Sequence, residues 1–190
     1  MSTNEISITV EGTPNPSALK FSVEKTLVAS GSAHFKKGDD TTSAPLATEL
    51  FTIEAVTEIL ISANFVTVNH DGSADWNALE PQVKAVIQKV LAEGEAVTVD
   101  EKKKETGEGL EGDELIEFKI KKILDEEIRP AVAQDGGDII FYGYKEGIVT
   151  LHLQGACSSC PSSIMTLRMG VENRLKHEIP EIVAVEQINT

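Results

Sequence analysis

Between Gly94 and Gly112 the chain stops alternating apolar and polar residues. Charge and glycine take over, as in Lys102-Lys103-Lys104-Glu105-Thr106-Gly107-Glu108-Gly109. A stretch of that kind cannot bury enough apolar surface to offset its own chain entropy, so it reads as a linker. A chain of 190 residues can hold one domain or two small ones, and this break, unless it is a solvated helix end plus a loop, points to two. The expected division is residues 1–93, a linker over 94–112, and residues 113–190.

Each half carries the pattern of an α+β domain. In the first, Ile6, Ile8 and Val10 alternate with Ser7 and Thr9, the period of a half-buried strand. Thr13-Pro14-Asn15-Pro16 is turn chemistry, and Ala18 to Val23 follows as a second strand. Leu46, Leu50, Ile53 and Val56 recur at helical spacing over Ala44 to Val56. Glu58 to Ile61 and Phe65 to Val68 are β-rich runs. Asp75 is placed to cap a last helix that buries Leu79, Val83, Val86, Ile87 and Val90. The order ββαββα predicts a mostly antiparallel sheet backed by two helices. His34 and His70 stand isolated in this half, Asp39-Asp40 and Asp71-Gly72 read as turns, and Trp76 reads as a packing anchor.

The second half opens with a helix over Leu115 to Ala133, where Ile116, Ile120, Ile123, Leu124 and Ile128 form one stripe. Pro130 should end or kink it. Asp135-Gly136-Gly137-Asp138 then makes a turn, and strands over Ile139 to Tyr144 and Ile148 to Leu153 form a hairpin. A helix marked by Ile164, Leu167, Val171, Leu175 and Ile179 precedes a last strand over Ile182 to Ile188. The order is αββαβ. Both halves are therefore small α/β sandwiches.

The chain's only two cysteines, Cys157 and Cys160, lie at the corner between the second of these strands and the helix that follows. Pro161 suits the first turn of that helix, and free N–H groups at a helix N-terminus favour thiolate over thiol. Ser158, Ser159, Ser162 and Ser163 are small and should leave the sulfurs accessible in an exposed loop. Three chemistries compete for the pair. A dithiol–disulfide oxidoreductase also places C-x-x-C at such a corner, but too little chain follows for the strands of a thioredoxin-like fold. A zinc site within the chain needs two more ligands, and the nearest, His152, alternates away from the core with Leu151 and Leu153. The third is a site between two chains, where two pairs give the four thiolates of an iron–sulfur cluster. Those four would also accept zinc.

The net charge of −14 argues against general nucleic-acid binding and against anionic membrane surfaces. No apolar run approaches the roughly 20 residues of a membrane span. Met1-Ser2-Thr3-Asn4-Glu5 has neither the basic start of a signal peptide nor the arginines of a presequence. A cytoplasmic, bacterial-type location is expected, with a processed mitochondrial matrix form as the alternative.

The run Gly155-Ala156-Cys157-Ser158-Ser159-Cys160-Pro161-Ser162-Ser163, followed by Met165 to Glu172, resembles the C-terminal NifU domain of Nfu-type iron–sulfur proteins. Arg129-Pro130, Asp135-Gly136-Gly137-Asp138 and Ile179-Pro180-Glu181-Ile182 extend the likeness over about residues 113 to 190. Thr13-Pro14-Asn15-Pro16, Ala18 to Phe21, Ala44 to Ala47, Leu50-Phe51 and Asn64 to Val68 are similar to the Nfu N-terminal domain. The resemblance implies a scaffold or carrier, not an enzyme. In such a protein a cluster, 4Fe–4S in preference to 2Fe–2S, is shared by two chains through Cys157 and Cys160. Its implied partners are a second copy, client apoproteins and upstream assembly scaffolds.

Overall fold

The computed structural model describes residues 6–29, 31–94, 109–158 and 161–188. The chain forms two compact units, Met1–Lys102 and Lys103–Thr190.

In the first unit, β1 (Ile8–Gly12) and β2 (Ala18–Val23) form an antiparallel hairpin in which Ile8 lies opposite Val23 and Gly12 opposite Leu19. Asn15 closes the turn between them. It is buried, and its Oδ1 accepts the Ser17 N–H at 3.0 Å, the self-bonding that lets asparagine hold a tight corner. A short strand absent from the sequence reading, β3 (Ala33–Lys36), pairs with β4 (Val56–Ile61). Only Ala33 and Phe35 alternate inward over its four residues, too weak a period to stand out from the flanking glycine and charge.

Helix α1 (Pro45–Leu50) is shorter than its apolar spacing suggests. Successive tight turns, Ile53 N–H to Leu50 O and Val56 N–H to Ile53 O, carry the same apolar residues into the core without a helix. β5 (Phe65–His70) sits centrally in a fully antiparallel sheet of order β1-β2-β5-β4-β3. Helix α2 (Trp76–Glu93) starts where Asp75 Oδ1 accepts the Asn77 N–H at 2.7 Å. It ends at Gly94, whose φ of +116° is the left-handed stop that glycine permits. Phe21, Ile59, Ile61, Val66 and Val68 on one sheet face pack with Leu46, Leu50, Val83 and Ile87 in one core.

The second unit begins with α3 (Asp113–Ile123), a π-helical turn over Leu124–Ile128, and α4 (Arg129–Gln134). Pro130 does not end the helix. It falls in the first turn of α4, where no N–H is required, and the wider π turn just before it takes up the lost ladder bond. β6 (Gly137–Lys145) and β7 (Ile148–Gly155) form a hairpin whose turn residues, Glu146 and Gly147, both have positive φ. Helix α5 (Pro161–Glu178) crosses back to β8 (Ala184–Gln187), which runs parallel to β7 in a sheet of order β6-β7-β8. Ile120, Leu124, Ile139, Leu151, Val171, Leu175 and Val185 share its core. Glu172 pins α5 to β8 by accepting the Val185 N–H at 3.1 Å while bonding Lys176 at 2.6 Å.

Both units are α+β, as their periodicities require. Among the described residues no helix is long and apolar enough to cross a membrane.

Candidate functional site

The cysteine loop grows out of the end of the β6–β7 hairpin, where Gly137 lies opposite Gly155. Gly136 and Gly155 both have positive φ, +75° and +68°, so the backbone on each side turns sharply without a Cβ penalty. The two turns are tied together by the Ala156 N–H donating to Gly136 O at 3.1 Å. The Ser158 N–H and hydroxyl both donate to Gly155 O, at 3.1 and 2.8 Å, closing the loop's first turn. Helix α5 then starts at Pro161, so Cys157 lies between the end of a strand and the start of a helix.

Cys157 is not accessible in this single chain. It is 6% exposed and belongs to the apolar core of the unit. Its thiol occupies the space that Gly137 leaves by lacking a side chain: a Cβ there would lie 2.5 Å from Cys157 Sγ and 3.1 Å from Val132 Cγ1. The expectation of an exposed loop with open sulfurs is therefore wrong at Cys157. Cys160 and Ser159 lie outside the described residues, as do the side chains of Ser162 and Ser163.

Next to Gly137 in the chain, Asp138 makes an ion pair that the sequence reading did not make. Arg129 Nε and Nη2 donate to the two carboxylate oxygens of Asp138 at 2.8 and 2.7 Å, and Nη1 donates to Asp125 at 2.9 Å. Asp138 is buried, on strand β6 and not in a turn, and also accepts the Ile139 N–H at 2.8 Å. The bidentate bond to Asp138 holds the Arg129 guanidinium charged, its pKa raised further above an already high value. The pair clamps α4 to the start of β6, next to Gly137. Both residues were visible as motif positions. Their pairing was not, because it depends on the helix passing directly over the strand start.

The remaining candidates are placed as follows. His152 is half-buried on the sheet face opposite Leu151 and Leu153, with Nδ1 3.1 Å from Ile188 O. Among the described residues no group of three or more His, Cys, Asp or Glu is gathered to hold a metal ion. In the first unit His34 is not isolated: Nε2 lies 2.5 Å from Glu58 Oε1, and Asn69 donates to the other oxygen at 3.2 Å. His70 accepts the Gly72 N–H and stands edge-on to Trp76, which donates to Pro16 O at 3.1 Å. Trp76 thus anchors the Thr13–Pro16 turn, as a packing residue should.

Residues 8–94 match the family described as "Scaffold protein Nfu/NifU N terminal", and residues 120–186 match "NifU-like domain". The protein called "NFU1 iron-sulfur cluster scaffold homolog, mitochondrial" of Drosophila erecta is 43% identical over 95% of this chain. This chain spans 64% of that relative's length. The human protein of the same name is 40% identical over 95% of this chain and 71% of its own length. A solution structure of a NifU-like protein from Saccharomyces cerevisiae covers 53% of this chain and 92% of its own, at 30% identity and a TM-score of 0.47. With both halves matched in order and a human relative aligned across nearly the whole chain, this protein belongs to the Nfu family of NifU-like proteins.

Proposed function

We propose that this protein is an iron–sulfur cluster carrier that takes up a cluster between Cys157 and Cys160 of two chains and delivers it to apoproteins. The observation that carries this reading is a shortage. The sequence has two cysteines, an iron–sulfur cluster needs about four thiolates, and the family match names scaffold proteins. The donor set fits the cargo in kind, since soft thiolates are the ligands that such clusters take. Four iron and four sulfide per two chains is the expected load. The partners are a second copy, client apoproteins and upstream assembly scaffolds. The relatives' names support a mitochondrial location and lend nothing to a bacterial cytoplasmic one.

The test is anaerobic reconstitution with iron and sulfide, read by visible absorbance, iron and sulfide analysis, and sedimentation. A brown dimer with about four iron per pair supports the carrier. A colourless protein that catalyses disulfide exchange would instead support the oxidoreductase. That second reading needs a thiolate within reach of a substrate disulfide.

The division of labour follows the domain reading, residues 1–93, a linker over 94–112, and 113–190. Both cysteines belong to the last segment, so a fragment beginning near Glu111 is expected to bind the cluster alone. The first domain then influences the rate of delivery through contact surface. A first-domain fragment that binds iron, or a second-domain fragment that does not, would reverse that assignment.

A further inference from the structure

Helix α5 presents two faces of opposite character immediately after the cysteine loop. Ile164, Leu167 and Val171 pack toward the core. On the outer face Met165 and Met169, one helical turn apart, are 62% and 57% exposed. Apart from Met1 they are the chain's only methionines. The same stretch is unusual in charge. No Asp or Glu occurs between Glu146 and Glu172, although the chain has 31 acidic residues, and the only Lys or Arg in that interval is Arg168.

We propose that the Met165–Met169 face of α5 is the surface on which a second copy of this chain docks. This rests on the two-chain reading of the cysteine pair. Three observations favour a second copy. Two thiolates per chain oblige the loops of two copies to meet, and Met165 lies only five residues beyond Cys160 on the helix that leaves the loop. Two chains of net charge −14 repel each other over most of their surfaces, and this is the interval in which neither brings a carboxylate. A symmetric contact also places the same patch on both copies, so the four methionines meet as two self-complementary pairs. Methionine suits that use, because its flexible thioether repacks easily against a surface that must form and part again.

The experiment compares the full-length protein with Met165→Glu/Met169→Glu, Met165→Ser/Met169→Ser and Met165→Leu/Met169→Leu, each reconstituted anaerobically and examined by sedimentation over a concentration series. The glutamate pair should raise the dimer dissociation constant by roughly 10-fold or more. Its iron per chain should fall at low protein concentration and recover at high concentration. The serine pair, which removes apolar area without adding charge, should lie between it and the parent, and the leucine pair should match the parent. If the glutamate pair dimerises like the parent, the docking assignment fails while the two-chain reading stands. A glutamate pair that dimerises normally but transfers its cluster slowly would give the face to a client and overturn the proposal. If the parent itself holds a complete cluster as a monomer, the two-chain reading fails, and this inference with it.

Discussion

Gly137→Ala adds one methyl group at the tightest point of the cysteine loop. Its Cβ would stand 2.5 Å from Cys157 Sγ, 3.1 Å from Cys157 Cβ and 3.1 Å from Val132 Cγ1. The backbone cannot retreat freely, because Gly137 pairs with Gly155 and its neighbour Asp138 is clamped by Arg129. The cheapest relief is a rotation of Cys157 that carries its sulfur out of the core. Overpacking of this kind costs about 1–3 kcal/mol. The stiffer unfolded chain of alanine returns about 0.4–1 kcal/mol. A net loss of about 1–2 kcal/mol corresponds to a fall of roughly 5–15 °C in the melting transition of a unit this size.

Two assays separate this mechanism from general damage. The first is thermal unfolding of the second unit. The second is the labelling rate of Cys157 by an aromatic disulfide reagent, in a Cys160→Ala background that leaves one thiol. Gly136→Ala is the control. Its φ of +75° makes any side chain there strained, so it should lower the melting temperature through the backbone. Faster labelling in Gly137→Ala than in Gly136→Ala, at comparable stability loss, is the expected result. If Gly137→Ala melts with the parent and labels no faster, the thiol does not depend on the glycine gap and the argument is refuted.

Three further outcomes are expected. Asp138→Asn leaves the Arg129 guanidinium without its bidentate carboxylate and should destabilise the second unit by about 2–4 kcal/mol in urea unfolding, well above a surface ion pair. Cys157→Ser should abolish cluster retention and also cost about 1–3 kcal/mol, because it puts a hydroxyl into an apolar core; equal stability to the parent would mean that the site is wetter than described. Lys176 first, and then the Val185 N–H, hold the Glu172 carboxyl below its ordinary pKa of 4.5, so its contribution is complete above that pH and is lost as pH falls through the lowered value. The stability difference between the parent and Glu172→Gln should therefore shrink on acidification below about pH 4.5, and a difference that grows there would contradict the sign.

Elements with a strong period were legible from sequence, and so was the place of Cys157 between a strand and a helix. Val149, Leu151 and Leu153 announce β7 because every second residue is buried, and α2 is announced by apolar residues spaced three and four apart. Where the reading failed, tertiary contact had overridden local pattern. Ile53 and Val56 carry helical spacing but are buried from a turn and from the start of β4, and β3 exists because β4 offers it a partner. Pro130 reads locally as an end or a kink of the helix, but the form of the break, a π turn over Leu124–Ile128, carries no local signal. At the site, residue identities were readable but the environment was not. The burial of Cys157 follows from an absent side chain at Gly137, twenty residues earlier, and an absence gives no periodic signal. The Arg129–Asp138 clamp was hidden for a related reason: the two residues face each other only once the helix and the strand are both in place.

The burial of Cys157 and the shortage of ligands bear on the same requirement of a carrier, that it must both hold its cargo and release it. A chain supplying all four thiolates would gain the full chelate advantage and let go slowly. In the two-chain reading each copy supplies half, so separation of the copies removes two ligands at once and release is coupled to dissociation. The unpaired chain must then survive with thiols that are selected for reactivity. Susceptibility to oxidation follows exposure and thiolate character, and Cys157 in the single chain has little of the first. On that reading the space left by Gly137 seats the sulfur in the core of the apo chain, and loading must draw it out. The same small rotation that Gly137→Ala would force by steric pressure is, on this reading, the one that cluster uptake uses. Gly137→Ala should therefore lose stability as apoprotein yet lose less of it once loaded, because the penalty falls on the sealed conformation alone. Melting curves of the parent and the variant, each with and without cluster, measure this directly. A stability gap that stays the same size after loading would show that the thiol keeps its core position in both states.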